Sequence, residues 1–136
     1  MNDRYLFKAK RTDNGEWVIG SYVNCCYPNE EDKTGHFILE YLNKFHEIYT
    51  STICQCTGLK DKNGKLIWEN DIVRDKEGNC YKAFWQNNYY QFSWICVKSD
   101  IFQIGTKWDL YIWRSYEIEV IGNRFDNPEL LESEEQ

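Results

Sequence analysis

Residues 57–73, TGLKDKNGKLIWENDIV, contain the clearest fold signal in this chain of 136 residues. The turn-forming residues 61–64 separate an extended segment, which Gly58 interrupts, from the apolar triplet at residues 66–68. An Asn-Gly pair accepts the positive φ angles of a tight hairpin turn, and apolar, β-branched and aromatic neighbours are typical of paired strands. This stretch therefore predicts a β-hairpin, and residues 71–74 begin a further strand.

The same order of strand, turn and strand recurs on both sides of this stretch. Residues 4–10 and 16–23 flank another Asn-Gly pair, and residues 81–85 and 89–97 flank a short Gln-Asn-Asn turn. Their β-branched and aromatic side chains are typical of strands. Each pair therefore predicts a hairpin.

The remaining segments are less uniform. Residues 24–35 contain a proline and an acidic run, which predict an exposed polar connection, whereas residues 36–49 fit both a strand and a helical spacing, so both alternatives stay open. Residues 108–114 predict an aromatic strand, and the regular alternation of residues 116–120 predicts one buried and one exposed face. Residues 127–132 favour one short helical turn, with Asn at the N-cap and Pro after it.

Length and composition favour one mostly β domain. The chain has the common size of a single domain, and its aromatic content of 17% suits pleated, half-buried surfaces. We predict a single β domain over residues 1–128 and an acidic tail over residues 129–136. The net charge is −6, and without the four glutamates of the tail 16 basic and 18 acidic residues leave −2. A weakly acidic body offers no general attraction to nucleic acid.

The sequence predicts a protein that stays in the cytoplasm. No stretch approaches the roughly twenty apolar residues that span a bilayer, and the first residues lead into no signal-peptide core. Six cysteines in a reducing compartment are expected to be thiols rather than disulfides.

Three segments carry motifs that can be compared with a known family. The first contains RYLF at residues 4–7 and NGEWV at residues 14–18, and the second is TGLKDKNGK at residues 57–65 with its continuation to Val73. The third contains EVIGN and NPELL within residues 119–131. In order and spacing these segments resemble the YopX family of bacteriophage and prophage proteins over almost the whole chain.

The resemblance implies an all-β core related to small SH3-like barrels or rolls, with additional hairpins and a short helical turn near the end. It implies no activity, because the family is uncharacterised in function. Two departures stand out: Asn70 replaces the usual Gly before Asp71, and Cys54 and Cys56 replace the usual Gly and Tyr. Asn tolerates the left-handed backbone better than most residues, so the fold expectation is unchanged.

Cysteines and histidines are the first candidates for chemistry. They are Cys25, Cys26, Cys54, Cys56, Cys80, Cys96, His36 and His46. Structural zinc sites use cysteine pairs separated by two to four residues, a spacing that is absent here. No local signature supports a Cys-His nucleophile either. We therefore expect small buried or half-buried thiols, with no metal and no cofactor.

Three acidic residues near the 57–73 stretch form the second candidate. Glu69 and Asp71 would project to one side of a strand, and Asp61 lies upstream across a turn. Such carboxylates can hold magnesium or transfer protons. Turn and strand-entry aspartates more commonly accept hydrogen bonds from neighbouring backbone amides, and we expect that role here.

Aromatic density is the third candidate. Residues 84–94 and 108–116 are rich in rings, and the nearest bases are Lys98, Lys107 and Arg114. Small β proteins sometimes stack single-stranded nucleic acid on such rings. Core packing accounts for most of the rings, and any that stay exposed favour a protein interface, because so few bases accompany them.

These observations lead to a ranked prediction of function. We predict a noncatalytic protein-binding or assembly module, which contacts a second copy, a host protein or a phage protein, and we assign no catalytic, cofactor or metal residue. The alternative is a nucleic-acid-binding accessory protein that uses a local basic patch of Lys8, Lys10 and Arg11. An enzyme ranks third.

Overall fold

A computed structural model of the protein describes residues 3–27, 29–41, 44–110 and 117–131. The strands in these ranges are β1 (Phe7–Lys10), β2 (Trp17–Tyr27), β3 (Glu30–Glu40), β4 (Lys44–Glu47), β5 (Cys54–Lys60), β6 (Leu66–Trp68), β7 (Asp71–Asp75), β8 (Cys80–Gln86), β9 (Gln91–Lys98), β10 (Lys107–Asp109) and β11 (Ile118–Asn123). Single turns of 3-10 helix occupy Asp3–Tyr5, Thr50–Thr52 and Pro128–Leu130. The prediction of a mostly β fold is confirmed.

The chain divides into two compact units, residues 1–56 and 57–136. The single domain predicted for residues 1–128 stays a prediction. In the first unit the strand order is β4-β3-β2-β1-β5, with antiparallel neighbours. Ala9 pairs with Val18, and both are buried in a small core with Ile38 and Ile48. The alternation of strand side chains places Lys8 and Lys10 on the opposite face.

Two sequence predictions in this unit need comment. Residues 24–35 were expected to be a polar connection, and that prediction is wrong, because β2 continues to Tyr27 and β3 begins at Glu30. Backbone pairing extends the hairpin beyond the core, so its polar side chains remain exposed while the strands stay hydrogen-bonded. The open alternative for residues 36–49 resolves as strand, in β3 and β4.

In the second unit the end of β5 lies beside β6, and a five-stranded antiparallel sheet has the order β10-β9-β8-β7-β11. Its main core consists of buried Ile67, Val73, Tyr81, Ala83, Trp94, Cys96 and Ile118. Among the described strands, the sheet ends at β10 and β11 rather than closing on itself. The predicted SH3-like barrel is therefore not confirmed, and the architecture is two antiparallel sheets.

Aspartates pin the turns of the second unit. The carboxylate of Asp61 accepts hydrogen bonds from the backbone amides of Asn63, Lys65 and Val120, at 2.9 Å each. Burial alone would raise the pKa of Asp61, but these donors outweigh burial and lower the pKa. The ionised carboxylate therefore ties the β5–β6 turn to β11.

Some predicted elements fall outside the described residues. They include residues 111–114 of the predicted aromatic strand, Tyr116 at the start of the alternating segment, and the tail from Glu132 onward. Residues 118–120 of the alternating segment belong to β11, where Ile118 is buried. At Pro128–Leu130 the turn is of the 3-10 type, and the side chain of Asn127 accepts a hydrogen bond from the backbone of Asn123.

Candidate binding surface

The end of the β8–β9 hairpin carries four aromatic residues, which we call the aromatic tip: Trp85 at the end of β8, Tyr89 and Tyr90 in the turn, and Phe92 at the start of β9. The exposed fractions are 40% for Trp85, 68% for Tyr89 and 82% for Tyr90, and Phe92 is half-buried. Residues 85–92 contain no charged side chain. The tip therefore presents uncharged aromatic surface to solvent.

Strand pairing explains why these rings meet. Trp85 lies directly opposite Phe92 in the β8–β9 register, and their ring centroids are 5.2 Å apart at an interplanar angle of 78°. Opposed residues in antiparallel strands have Cβ atoms about 5 Å apart, so large rings contact each other. The edge-to-face pair forms the base from which Tyr89 and Tyr90 project.

Tyr90 has an unusual backbone. Its φ is +52°, in the left-handed region that bulky residues seldom adopt. Such a conformation costs about 1 kcal/mol or more, and strained residues cluster at functional sites. The sequence pattern predicts Tyr89 and Tyr90 in a strand, but they lie in the turn, because β9 begins only at Gln91.

The root of the same hairpin is held by burial and by side-chain hydrogen bonds. Trp94 is fully buried and donates a hydrogen bond from Nε1 to the Leu110 carbonyl at 3.2 Å. Closer to the tip, Gln91 Nε2 donates to Asp109 Oδ1 at 2.6 Å. Ser93 donates to Gln86 Oε1 at 2.9 Å. The tip is therefore presented by a fixed support.

The basic patch predicted from Lys8, Lys10 and Arg11 is partly engaged within its own unit. The Nζ atoms of Lys8 and Lys10 lie 4.5 Å and 5.3 Å from the ring centroid of Trp17. The Arg11 guanidinium bonds both carboxylate oxygens of Asp13, at 2.9 Å and 2.6 Å. This hydrogen-bonded pair raises the pKa of Arg11 and lowers the pKa of Asp13. The main part of the basic patch is therefore Lys8 and Lys10 beside the Trp17 indole.

The candidate carboxylates adopt the structural role expected for aspartates in turns. Asp71 accepts a hydrogen bond from the Trp68 backbone at 2.8 Å, as Asp61 does from its own neighbours. The expectation that Glu69 and Asp71 share a strand face is wrong, because Glu69 lies in the turn before β7. Asn70 adopts φ +72° in that turn, the left-handed conformation that Asn tolerates in place of Gly.

The cysteines and histidines occupy separate environments. All six cysteines lie within the described residues and are thiols, four of them buried. His36 Nδ1 is 2.5 Å from the Tyr22 hydroxyl, and His46 Nε2 is 3.0 Å from Glu40 Oε1. The described residues contain no group of three or more His, Cys, Asp or Glu placed to hold a metal ion.

The chain is similar to a known protein family over a range that includes the hairpin at residues 57–73. The family model described as YopX protein matches residues 6–132. The chain belongs to the YopX family. No curated protein matches the sequence of this YopX-family chain.

A solved structure resembles this YopX-family chain along most of its length. It is the crystal structure of protein EF1440 from Enterococcus faecalis, with 23% sequence identity and a TM-score of 0.48. The similarity covers 93% of this chain and 96% of that chain. Within the described residues, the helical segments are too short or too polar to cross a membrane.

Proposed function

We propose that this YopX-family protein is a noncatalytic protein-binding module and that the aromatic tip is its contact surface. The observation that carries the proposal is the exposure of Trp85, Tyr89 and Tyr90 at one uncharged hairpin end. Protein interfaces are enriched in aromatic residues and depleted of charge at their centres. Rings on a rigid hairpin lose little conformational entropy when a partner covers them, which favours binding.

The partner class follows from the same composition. Nucleic-acid binding draws much of its affinity from Lys and Arg at phosphates, and residues 85–92 contain neither. An apolar, aromatic surface on another protein, or on a second copy of this chain, is the complementary partner. We place the protein in the cytoplasm of a bacterium that carries a phage or prophage, an expectation from the family resemblance and from its thiols.

The test replaces the exposed rings together, with Trp85→Ala, Tyr89→Ser and Tyr90→Ser in one tip variant. Light scattering on the purified proteins and affinity capture from prophage-carrying cells measure association. We expect wild type to form a discrete oligomer or to capture one protein, and the tip variant to lose that association. The matched control removes two exposed tyrosines elsewhere, Tyr5→Ser and Tyr41→Ser, which are 60% and 77% exposed, and keeps it. Equal association by wild type and tip variant overturns the proposal.

A second candidate function rests on the two lysines beside Trp17. A base-stacking ring next to cations is one way in which proteins hold single-stranded nucleic acid. The test is fluorescence anisotropy of a labelled oligonucleotide, with Lys8→Gln plus Lys10→Gln as the variant. Binding that falls steeply between about 50 and about 200 mM salt, and that the variant loses, would reverse the ranking. An enzyme ranks third, and a cleft with converging titratable groups would support it.

A further inference from the structure

A cavity of about 430 Å³ lies in the second unit, at the start of β8. Its walls come from the β7–β8 turn, from the segment before β10 and from Trp108 on β10. A volume of this size is typical of pockets that accept a small molecule or one large side chain.

Three aromatic rings line the cavity, those of Tyr81, Phe102 and Trp108. Trp108 contacts Tyr81 at 5.5 Å between centroids and 89° between planes, and Phe102 at 5.1 Å and 71°. The rings therefore meet edge to face and form walls rather than a flat stack. Aromatic walls of this kind attract cations through the negative faces of the rings.

Among the described residues, the charged side chains that line the cavity are Asp75 and Glu77, and none of the lining residues there is a lysine or arginine. Asp75 already accepts four hydrogen bonds, from the Glu77 backbone, twice from Asn79 and from the Tyr81 hydroxyl. Its charge remains, but its lone pairs are occupied. The exposed Glu77 carboxylate is therefore the group that can accept hydrogen bonds from a ligand.

The Tyr81 phenol at the cavity has a raised pKa. Burial raises the pKa of its phenol, and the hydrogen bond to Asp75 and the charge of Glu77 raise it further. The phenol therefore stays neutral and keeps donating to Asp75 at 2.8 Å. A cation that enters the cavity meets the opposite charge.

Hydrogen bonds hold the two sides of the cavity together. The buried Asn79 accepts a hydrogen bond from the Ser99 hydroxyl at 2.6 Å. Ser99 Oγ in turn accepts from the backbone amides of Ile101 and Phe102, at 3.0 Å and 2.9 Å. This series of hydrogen bonds links the β7–β8 turn to the segment that positions Phe102. A cavity held in this way loses little free energy to rearrangement when a ligand binds.

We propose that this acidic aromatic cavity binds a lysine or arginine side chain of the partner protein. The aliphatic stem lies against Phe102 and Trp108, and the cationic group donates hydrogen bonds to Glu77. The proposal deepens the protein-binding function and rests on it for the identity of the partner. An adjoining cavity of about 260 Å³ shares Glu77 and is also lined by Lys98 and Asp100, so a basic side chain already lies among its acids.

Amino-acid derivatives test the proposal on the whole purified protein. The probes are Nα-acetyl-lysine methylamide and Nα-acetyl-arginine methylamide, and the readout is the two-dimensional ¹H–¹⁵N NMR spectrum. The Trp108 indole signal is identified by its loss in Trp108→Phe. We expect saturable shifts of this signal with millimolar affinity. The Nε-acetylated lysine derivative, which is neutral, should bind at least several-fold more weakly.

Two variants and a matched control locate the binding. Glu77→Gln and Phe102→Ala should each weaken binding about three- to tenfold. Glu129→Gln removes the same charge from an exposed residue outside the cavity lining and should leave binding unchanged. The same spectra show that each variant is folded. Equal binding of the charged and neutral lysine derivatives, or tighter binding of tetramethylammonium than of both side-chain probes, overturns the proposal.

The tip variant separates the two proposals. It retains the cavity, so it should bind the lysine derivative as wild type does. If the derivative fails to bind while association still depends on the tip, the cavity proposal alone is overturned. If the derivative binds but the tip variant associates normally, the proposed function alone is overturned.

Discussion

The ends of two hairpins of this protein differ in charge and in aromatic content. The β2–β3 hairpin has two strands of eleven residues, and β3 begins with the exposed acids Glu30, Glu31 and Asp32. The β8–β9 hairpin is shorter, and its uncharged end presents four rings. Charges at the end of a long exposed hairpin discourage pairing with other chains, whereas uncharged rings favour it.

Aromatic content alone does not identify a binding surface in this protein. Aromatic residues also occur along β2 and β3, where Tyr27 and Phe37 meet edge to face at 5.5 Å. There the Tyr27 hydroxyl donates to Glu47, and Phe37 is buried. At the β8–β9 tip the rings lack such cover, so they are the ones available to a partner.

The largest expected effect separates the root of β8–β9 from its tip. Trp94→Ala removes a fully buried ring and should lower the free energy of unfolding by about 3–5 kcal/mol, measured by urea denaturation. Trp85→Ala, on the same hairpin but 40% exposed, should cost far less. Similar losses from both substitutions would mean that the tip is part of the core.

The next effect tests the root of β2–β3. A Cβ atom at Gly20 would lie 2.2 Å from the backbone oxygen of Leu39, so Gly20→Ala must displace one strand. We expect a loss of about 1–3 kcal/mol in urea denaturation. Ser21→Ala, at the neighbouring exposed position, is the control and should change stability by less than about 0.5 kcal/mol. An unchanged Gly20→Ala would show that close strand contact does not position this hairpin.

The third effect depends on pH and concerns the β5–β6 hairpin, whose turn is stabilised by hydrogen bonds to Asp61. Because the folded state lowers its pKa, the ionised carboxylate stabilises the fold above the ordinary pKa. That stabilisation disappears as pH falls through the lowered value. Asp61→Asn should cost about 1–2 kcal/mol at neutral pH, and the difference from wild type should shrink below about pH 4. Urea midpoints across pH measure it, and a difference independent of pH contradicts the assignment.

The smallest effect concerns strain at the tip. Tyr90→Asn places a residue that tolerates positive φ at a left-handed position, so stability should rise by about 0.5 kcal/mol while association weakens. Thermal unfolding and light scattering measure the two changes. A variant that is less stable and associates normally would show that Tyr90 supports the fold rather than the surface.

Much of the fold was predictable from local pattern. The turns before Glu16 and after Asp61 were predicted from Asn-Gly, because few other residue pairs accept that backbone. The extension of β2 and β3 beyond the core was missed because backbone pairing leaves no mark on polar side chains. The tip was predicted as an aromatic segment. Which of its rings are exposed depends on where the turn ends, and β9 begins only after Tyr90.

The cavity could not have been predicted from the sequence. Asp75 ends β7 and Glu77 stands in the turn that follows, and Phe102 and Trp108 lie more than twenty residues further along the chain. Only strand pairing and the Asn79–Ser99 hydrogen bond bring these two segments together. A sequence motif for the site would have to span two separate loops, which local spacing cannot show.

The cysteines of this protein can serve as built-in probes of unfolding, because some are exposed and others are buried. Cys26 is exposed, whereas Cys54 and Cys56 are buried in the first unit, and Cys80 and Cys96 are buried in the second. Burial also raises the pKa of Cys80, so little reactive thiolate exists there in the folded state. Alkylation followed by mass spectrometry would therefore modify Cys26 at once and the four buried cysteines only when their own unit opens, which times the unfolding of each unit separately.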